Sequence, residues 1–240
     1  MSTKVALVTG AAGGIGRKIV GALAKAGWAV AATDLAAAGE VPAAAATIHA
    51  DLSSGRDACR AVIDEALARF GRMDLLVNNA ATMTVVEPTV ETMPLWWRDI
   101  DVNLSAPLWL TQAAASALRA TRGQVINVCS ISALRGESGF SAYAASKAGL
   151  LGMTRSLARE LAPAVRVNAI APGPTDTEQL IHDAVFAGVE LDEMRHRYAS
   201  AMPSGRLVTP AEVAQLIVFL STAQSFTGEC VQINGGMLMS

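Results

Sequence analysis

A tyrosine and a lysine stand four residues apart in the run SAYAASKAG, Ser141–Gly149, where every other residue is small. On a helix that spacing puts Tyr143 and Lys147 one above the other on a single face. A free phenol titrates near ~10, too high for an efficient base at neutrality, and an ammonium held beside it favours the phenolate by ~1–3 pKa units. Such a pair suits proton transfer at an alcohol or carbonyl oxygen. The same spacing also occurs as an ordinary surface pair, so the rest of the chain must choose between the two.

A second constellation lies near the start. TGAAGGIG, Thr9–Gly16, carries Gly10, Gly14 and Gly16 between an apolar run and a helical one. Glycines let the backbone turn tightly and approach a ligand, and the following helix start offers free N–H groups to a pyrophosphate. Asp34 ends the next apolar run, where a carboxylate can accept hydrogen bonds from ribose hydroxyls. It would repel a 2′-phosphate, and Gly13 brings no positive charge to offset this, so NAD(H) is expected in preference to NADP(H). Arg17 and Lys18 are the residues that could oppose that preference. No Gly-Lys-Ser/Thr follows the glycines, which argues against a Walker-type phosphate loop.

Composition narrows the remaining classes. The 240 residues carry a net charge of −2, with basic residues scattered, which speaks against a nucleic-acid or anionic-membrane partner. Cys59, Cys129 and Cys230 match neither a disulfide framework nor a zinc spacing, and His49, His182 and His196 lack metal-ligand spacing, so no metal is expected. Beside Ser130, Cys129 reads as a buried strand residue and not as a nucleophile. No apolar run approaches the ~18 residues of a membrane span. MSTKVALVTG leads straight into a glycine turn and does not resemble a signal peptide, so a cytoplasmic protein is expected.

These residues need elements to hold them. Seven short apolar runs read as strands: KVALVT, WAVAATD, TIHAD, MDLLVNNA, GQVINVCS, VRVNAIAPG and CVQING. Between them lie helical patterns, among them SGRDACRAVIDEALARFG with Cys59, Val62, Ile63, Ala66 and Phe70 on one side and Gly71 at its end. After Asp34, LAAAGEVPAAAA leaves room only for a very brief helix. This alternation predicts βαβ units and one α/β domain over residues 1–240, without linker or repeat. Trp96 and Trp97 point about 100° apart on a helix, so one of them is expected to pack inward. Residues 175–205 read as short helices closing over a substrate, or as a permanently packed helical hairpin. Within them Arg195, His196 and Arg197 read as a solvated charge run.

Taken in order, the motifs resemble those of the short-chain dehydrogenase/reductase family. TGAAGGIG is similar to its cofactor turn, NNAA (Asn78–Ala81) to its strand-four motif and YAASK to its catalytic Y-x-x-x-K, with Ser130 thirteen residues before Tyr143 at the serine position. Asn103 in DVNLSAP matches the helix asparagine, and APGPTDT (Ala171–Thr177) the Pro-Gly segment. The match runs from about Val5 to Gly236; Ala81 departs from it, since glycine is usual there.

The resemblance implies a Rossmann-type doubly wound parallel sheet of about seven strands with helices on both faces, a three-layer sandwich. It implies a catalytic set of Asn103, Ser130, Tyr143 and Lys147. Tyr143 would move the proton, Ser130 would stabilise the substrate oxygen, Asn103 would hold a relay water, and Lys147 would also hold the nicotinamide ribose. On the cofactor side it implies Gly10, Gly14, Ile15, Gly16 and Asp34, then Asp51, Leu52, Asn79, Ala80 and Ala81. Tyr143, Lys147, Pro172, Gly173, Thr175 and Thr177 complete that wall. Substrate would meet Ser130, Ser132, Leu134, Glu137, Phe140, Tyr143 and Gln179. The expected protein is an oxidoreductase interconverting a secondary alcohol and a ketone, resembling 3-oxoacyl reductases or small alcohol and polyol dehydrogenases. A cyclic dihydrodiol dehydrogenase of the dihydroxybenzoate-forming kind, or a non-catalytic NAD-binding sensor, is the alternative. The family also implies a homo-oligomer, a tetramer, joined through the long helix bearing Asn103 and the Tyr143 helix.

Overall fold

The computed structural model describes residues 3–85 and 93–239. Strand β1 (Val5–Thr9) is buried along its whole length, the signature of a strand covered on both faces. With β2 (Ala29–Asp34), β3 (Ala46–His49), β4 (Leu75–Asn78), β5 (Gln124–Val128), β6 (Arg166–Pro172) and β7 (Cys230–Ile233) it forms one seven-stranded sheet. The order is β3-β2-β1-β4-β5-β6-β7 and every pairing is parallel. The alternating pattern predicts the parallel βαβ units, and the resemblance implies this doubly wound arrangement. Strand order reverses between β1 and β4, where a crevice opens beyond the carboxyl ends of the strands.

Side chains alternate between the two faces. Ala6 and Val8 meet α1 (Gly14–Lys25) and α9 (Pro210–Thr222) through Ile19, Leu23, Val213 and Ile217. Leu7 faces the opposite way, toward α2 (Arg56–Phe70), α4 (Ala106–Thr121) and α6 (Ser141–Glu160), through Ile63, Leu110 and Leu157. Gly71 ends α2 with φ +70, a left-handed turn that side chains resist. The brief helix after Asp34 is a 3₁₀ turn, Ala36–Ala38.

The helix carrying Asn103 departs from a simple long rod. Helix α3 (Met93–Ile100) passes into a π turn, Asp101–Ser105, before α4 begins. Pro107 has no N–H to offer the Asn103 carbonyl at the usual four-residue spacing, and the Ala106 N–H reaches five residues back to Asp101. On α3 the Trp96 and Trp97 rings meet edge to face at 5.1 Å; Trp97 is exposed and Trp96 half-buried. Beyond β6, α7 (Gln179–Ala187) and α8 (Leu191–Ala201) pack on each other through Leu180, Ala184 and Met194. Among the described residues no helix is long and apolar enough to cross a membrane, and no group of histidine, cysteine or acidic residues could hold a metal ion.

Candidate active site

A cleft of about 520 Å³ opens where β1, β4, β5 and β6 end. Its cofactor-side wall begins with the glycine turn. Gly10 has φ +60, and a Cβ there would come within 2.6 Å of the Ala80 Cα. A Cβ on Gly16 would lie 2.0 Å from the Gly10 carbonyl oxygen, so neither position admits a side chain without moving the turn. Helix α1 has Gly13 at its N-cap and no side chain capping it, which leaves its first N–H groups to a ligand. Asp34 borders the same cleft. Its carboxylate is fixed by the N–H groups of Ala12 and Leu35, each at 2.8 Å, and keeps lone pairs for further donors. An uncapped helix start, a turn stripped of side chains and an anchored carboxylate fit a dinucleotide.

Strand β4 is tied to this turn. The N–H groups of Asn79 and Ala80 donate to the Thr9 hydroxyl at 3.0 and 2.9 Å, and the Asn79 amide donates to the Thr9 and Gly10 carbonyls. Behind the cleft, buried amides cross the sheet from Asn78 to Asn127 (2.8 Å) and from Asn127 to the Thr154 hydroxyl (2.8 Å). That chain joins β4, β5 and α6, the elements that carry the reactive groups.

Helix α6 presents Tyr143 to the cleft with Lys147 one turn on. Ser130, just past β5, borders the same cleft as Tyr143, and its oxygen accepts the Ser132 N–H at 3.1 Å. Lys147 is almost wholly buried; its Nζ donates to the Val128 carbonyl at 2.8 Å and stands 5.7 Å from the Tyr143 ring centre. Burial lowers Lys147 to about 8. It pushes Tyr143 up to about 12, against the downward pull of the neighbouring Ser130 side chain. The sequence led us to expect a lowered phenol; in the protein alone, desolvation outweighs the neighbours. Cys129 is buried beside Ser130, with its thiol pushed up to about 12, as an inert strand residue should be.

Most residues singled out from the sequence meet at this cleft. Gly10, Gly14, Ile15, Gly16, Asp34, Asn79, Ala80, Ala81, Pro172, Gly173, Thr175 and Thr177 border it, as do Ser130, Ser132, Glu137, Phe140, Tyr143, Lys147 and Gln179. Four do not. Asp51 caps the turn Leu52–Ser54 by accepting from Ser53, and Leu52 is buried in the core. Leu134 sits on the short helix α5 (Ser132–Arg135), outside the lining. Asn103 lies behind the wall, fully buried. Its Oδ1 accepts the Thr82 N–H at 2.8 Å, and its Nδ2 donates to the Thr82 carbonyl and the Ser146 hydroxyl at 2.8 and 3.0 Å. Its side chain therefore braces the wall at Thr82.

Several site residues went unread. Asp99 on α3 is fully buried and accepts from the Thr82 hydroxyl (2.7 Å) and the Thr84 N–H (3.0 Å), fixing the loop after β4. The far wall adds Arg135, His182, Asp183 and Tyr198. Gln179 and Asp183, four apart on α7, were a legible signal; Tyr198, four residues from both Met194 and Met202, has the spacing of an apolar stripe, which hides its polar role. Arg195 pairs with Asp192 and Asp176, and Arg197 with Glu193, all exposed, as a solvated charge run would be.

Comparison with known proteins places this geometry in context. The family model described as enoyl-(acyl carrier protein) reductase matches residues 10–238. The acetoacetyl-CoA reductase of Acinetobacter sp. (strain RA3849) is 34% identical over 253 residues, 98% of each chain. The galactitol 2-dehydrogenase of Agrobacterium fabrum is 35% identical over 257 residues, 100% of this chain and 99% of that one. Among solved structures, the ligand-free aldohexose dehydrogenase of Thermoplasma acidophilum superposes with a TM-score of 0.92 at 30% identity, covering 98% of this chain and 94% of that one. Likeness of this extent, from glycine turn to last strand, makes the chain a member of the short-chain dehydrogenase/reductase family of oxidoreductases.

Proposed function

We propose that the protein interconverts a secondary alcohol and a ketone with NAD(H), and that Tyr143 carries the proton. Tyr143 and Ser130 facing one cleft, with a buried Lys147 one helical turn from the phenol, is the observation that carries this reading. The nicotinamide cofactor supplies or accepts the hydride. Ser130, oriented by the Ser132 N–H, donates to the substrate oxygen and stabilises charge developing there. Tyr143 gives the proton to that oxygen in reduction and takes it in oxidation. The high pKa keeps the phenol protonated at neutral pH, the form a donor needs; as a base it needs the added positive charge of Lys147 and the oxidised cofactor.

Asp34 supports NAD(H) over NADP(H), because its anchored carboxylate stands where a 2′-phosphate would meet like charge. The named activities of relatives, on an acyl thioester, a polyol and an aldohexose, bracket the substrate classes. Residues 175–205 serve as the substrate-side lid, since Thr177, Gln179, Asp183 and Tyr198 border the cleft from that segment. Exposed Met93, Leu95 and Trp97 on α3 support a homo-oligomer, a tetramer in our reading, acting in the cytoplasm. Turnover of an alcohol and ketone panel, followed by NADH absorbance with each cofactor, tests the proposal. Activity with NAD(H) well above that with NADP(H) is expected. No turnover with either cofactor would overturn the reaction, and a clear NADPH preference would overturn the cofactor assignment.

A further inference from the structure

The cleft's far wall is built from opposite charges and hydroxyls. Asp183, half-buried on α7, accepts from the Gln179 amide at 3.3 Å and from the Tyr198 hydroxyl at 3.1 Å. It borders the same cleft as Tyr143 and Ser130. Each carboxylate oxygen has a lone pair beyond the one already used, and the group borders the open cleft. On the same wall Arg135 and Glu137 form an ion pair that lines this space and bears electrostatically on Tyr198.

We propose, resting on the reaction assigned above, that the substrate is a neutral polyhydroxylated molecule of the sugar or polyol class, with a hydroxyl beyond the reacting one held by Asp183. A wall carrying both signs opposes a ligand of either net charge. An anion meets Asp183 and Glu137, and a cation meets Arg135. A hydroxyl both donates and accepts, so it satisfies the free carboxylate lone pairs here and can also accept from Tyr198 or Arg135. An apolar acyl chain laid on this wall would strip water from the charged groups and return no hydrogen bond. Phe140 and Leu180, which border the same cleft, give the carbon faces of such a molecule an apolar surface.

The test compares kcat/KM with NAD+ for sorbitol, galactitol and glucose against cyclohexanol, and with NADH for acetoacetyl-CoA. At least one polyhydroxylated substrate is expected to exceed cyclohexanol and acetoacetyl-CoA by about 10- to 100-fold, the weight of a hydrogen bond to a charged group. In the near-isosteric Asp183→Asn, and separately in Tyr198→Phe, that preference is expected to shrink by about tenfold or more, chiefly through KM. Thermal melting of each variant reports that it has folded. Turnover of cyclohexanol or acetoacetyl-CoA at or above the polyol rate would overturn the substrate class while leaving the reaction standing. An unchanged preference in folded Asp183→Asn would overturn the role of Asp183. Absence of turnover on every compound would overturn the reaction itself and this inference with it.

Discussion

Lys147 is held in the core against its own preference, and replacing it by methionine should raise stability while abolishing the proposed chemistry. Burial moves the ammonium from its ordinary 10.5 to about 8, which amounts to roughly 3 kcal/mol against the charged, folded form at neutral pH. Methionine fills most of the same volume without charge. It forfeits the Nζ bond to the Val128 carbonyl and leaves that oxygen unpaired, a loss of about 1 kcal/mol. The difference, about 2 kcal/mol, corresponds to a rise of roughly 4 °C in melting temperature for 240 residues. The pH dependence identifies the cause. Folded wild type sheds the lysine proton near pH 8, whereas the unfolded chain keeps it to about 10.5. Between those values the unfolded state binds more protons, so wild-type stability climbs with pH. Melting curves of both proteins from pH 7 to 10.5 should show the variant's advantage in full below pH 8 and closing above it. A variant that melts below wild type at pH 7, or a gap that does not change with pH, would refute the reasoning.

Three further outcomes are expected. Tyr143→Phe removes the proton donor and should lower kcat by ~10²-fold or more with NADH binding retained by fluorescence titration; near-normal turnover would exclude the role. Asp34→Asn keeps the contour of the turn but removes the charge, so the NAD-to-NADP ratio of kcat/KM should narrow by about tenfold or more, and an unaltered ratio would show that the carboxylate does not select the cofactor. Asn103→Ala breaks three bonds to Thr82 and Ser146 and leaves buried groups unpaired. We expect a loss of about 2–4 kcal/mol, and an unchanged melting temperature would contradict the bracing role.

The sheet was legible because strands buried on both faces are predominantly apolar, and runs as short as VALVT or LLVN, set between glycine turns and helical patterns, read as such strands. The glycine turn, Asp34 and the Tyr143–Lys147 pair were legible for a related reason, since each is a local pattern whose meaning survives without knowledge of the fold. Residues that act across the chain were not. Asn103 stood out as polar, yet its partners Thr82 and Ser146 lie 21 and 43 residues away, and the sequence does not say that they meet. Asp99 looks like any acid on an amphipathic helix until the loop at Thr82–Thr84 folds over it. The ionisation of Tyr143 was misjudged on the same ground: a neighbouring charge can be read from spacing, whereas burial belongs to the whole structure.

The π turn between α3 and α4 makes chain length itself a determinant of the cleft. One residue more than an α-helix needs is accommodated at Asp101–Ser105, and one helical residue is a rotation of about 100°. Helix α4 keeps its apolar stripe, Ala106, Leu110, Ala114 and Leu118, locked to the sheet. A single deletion that restored regular winding would therefore turn α3 instead, swinging Asp99 away from Thr82 and Thr84 while every proposed catalytic side chain stayed in the sequence. Two chains with identical reactive residues but a helix one residue different would thus hold the loop after β4, and whatever it touches, in different places.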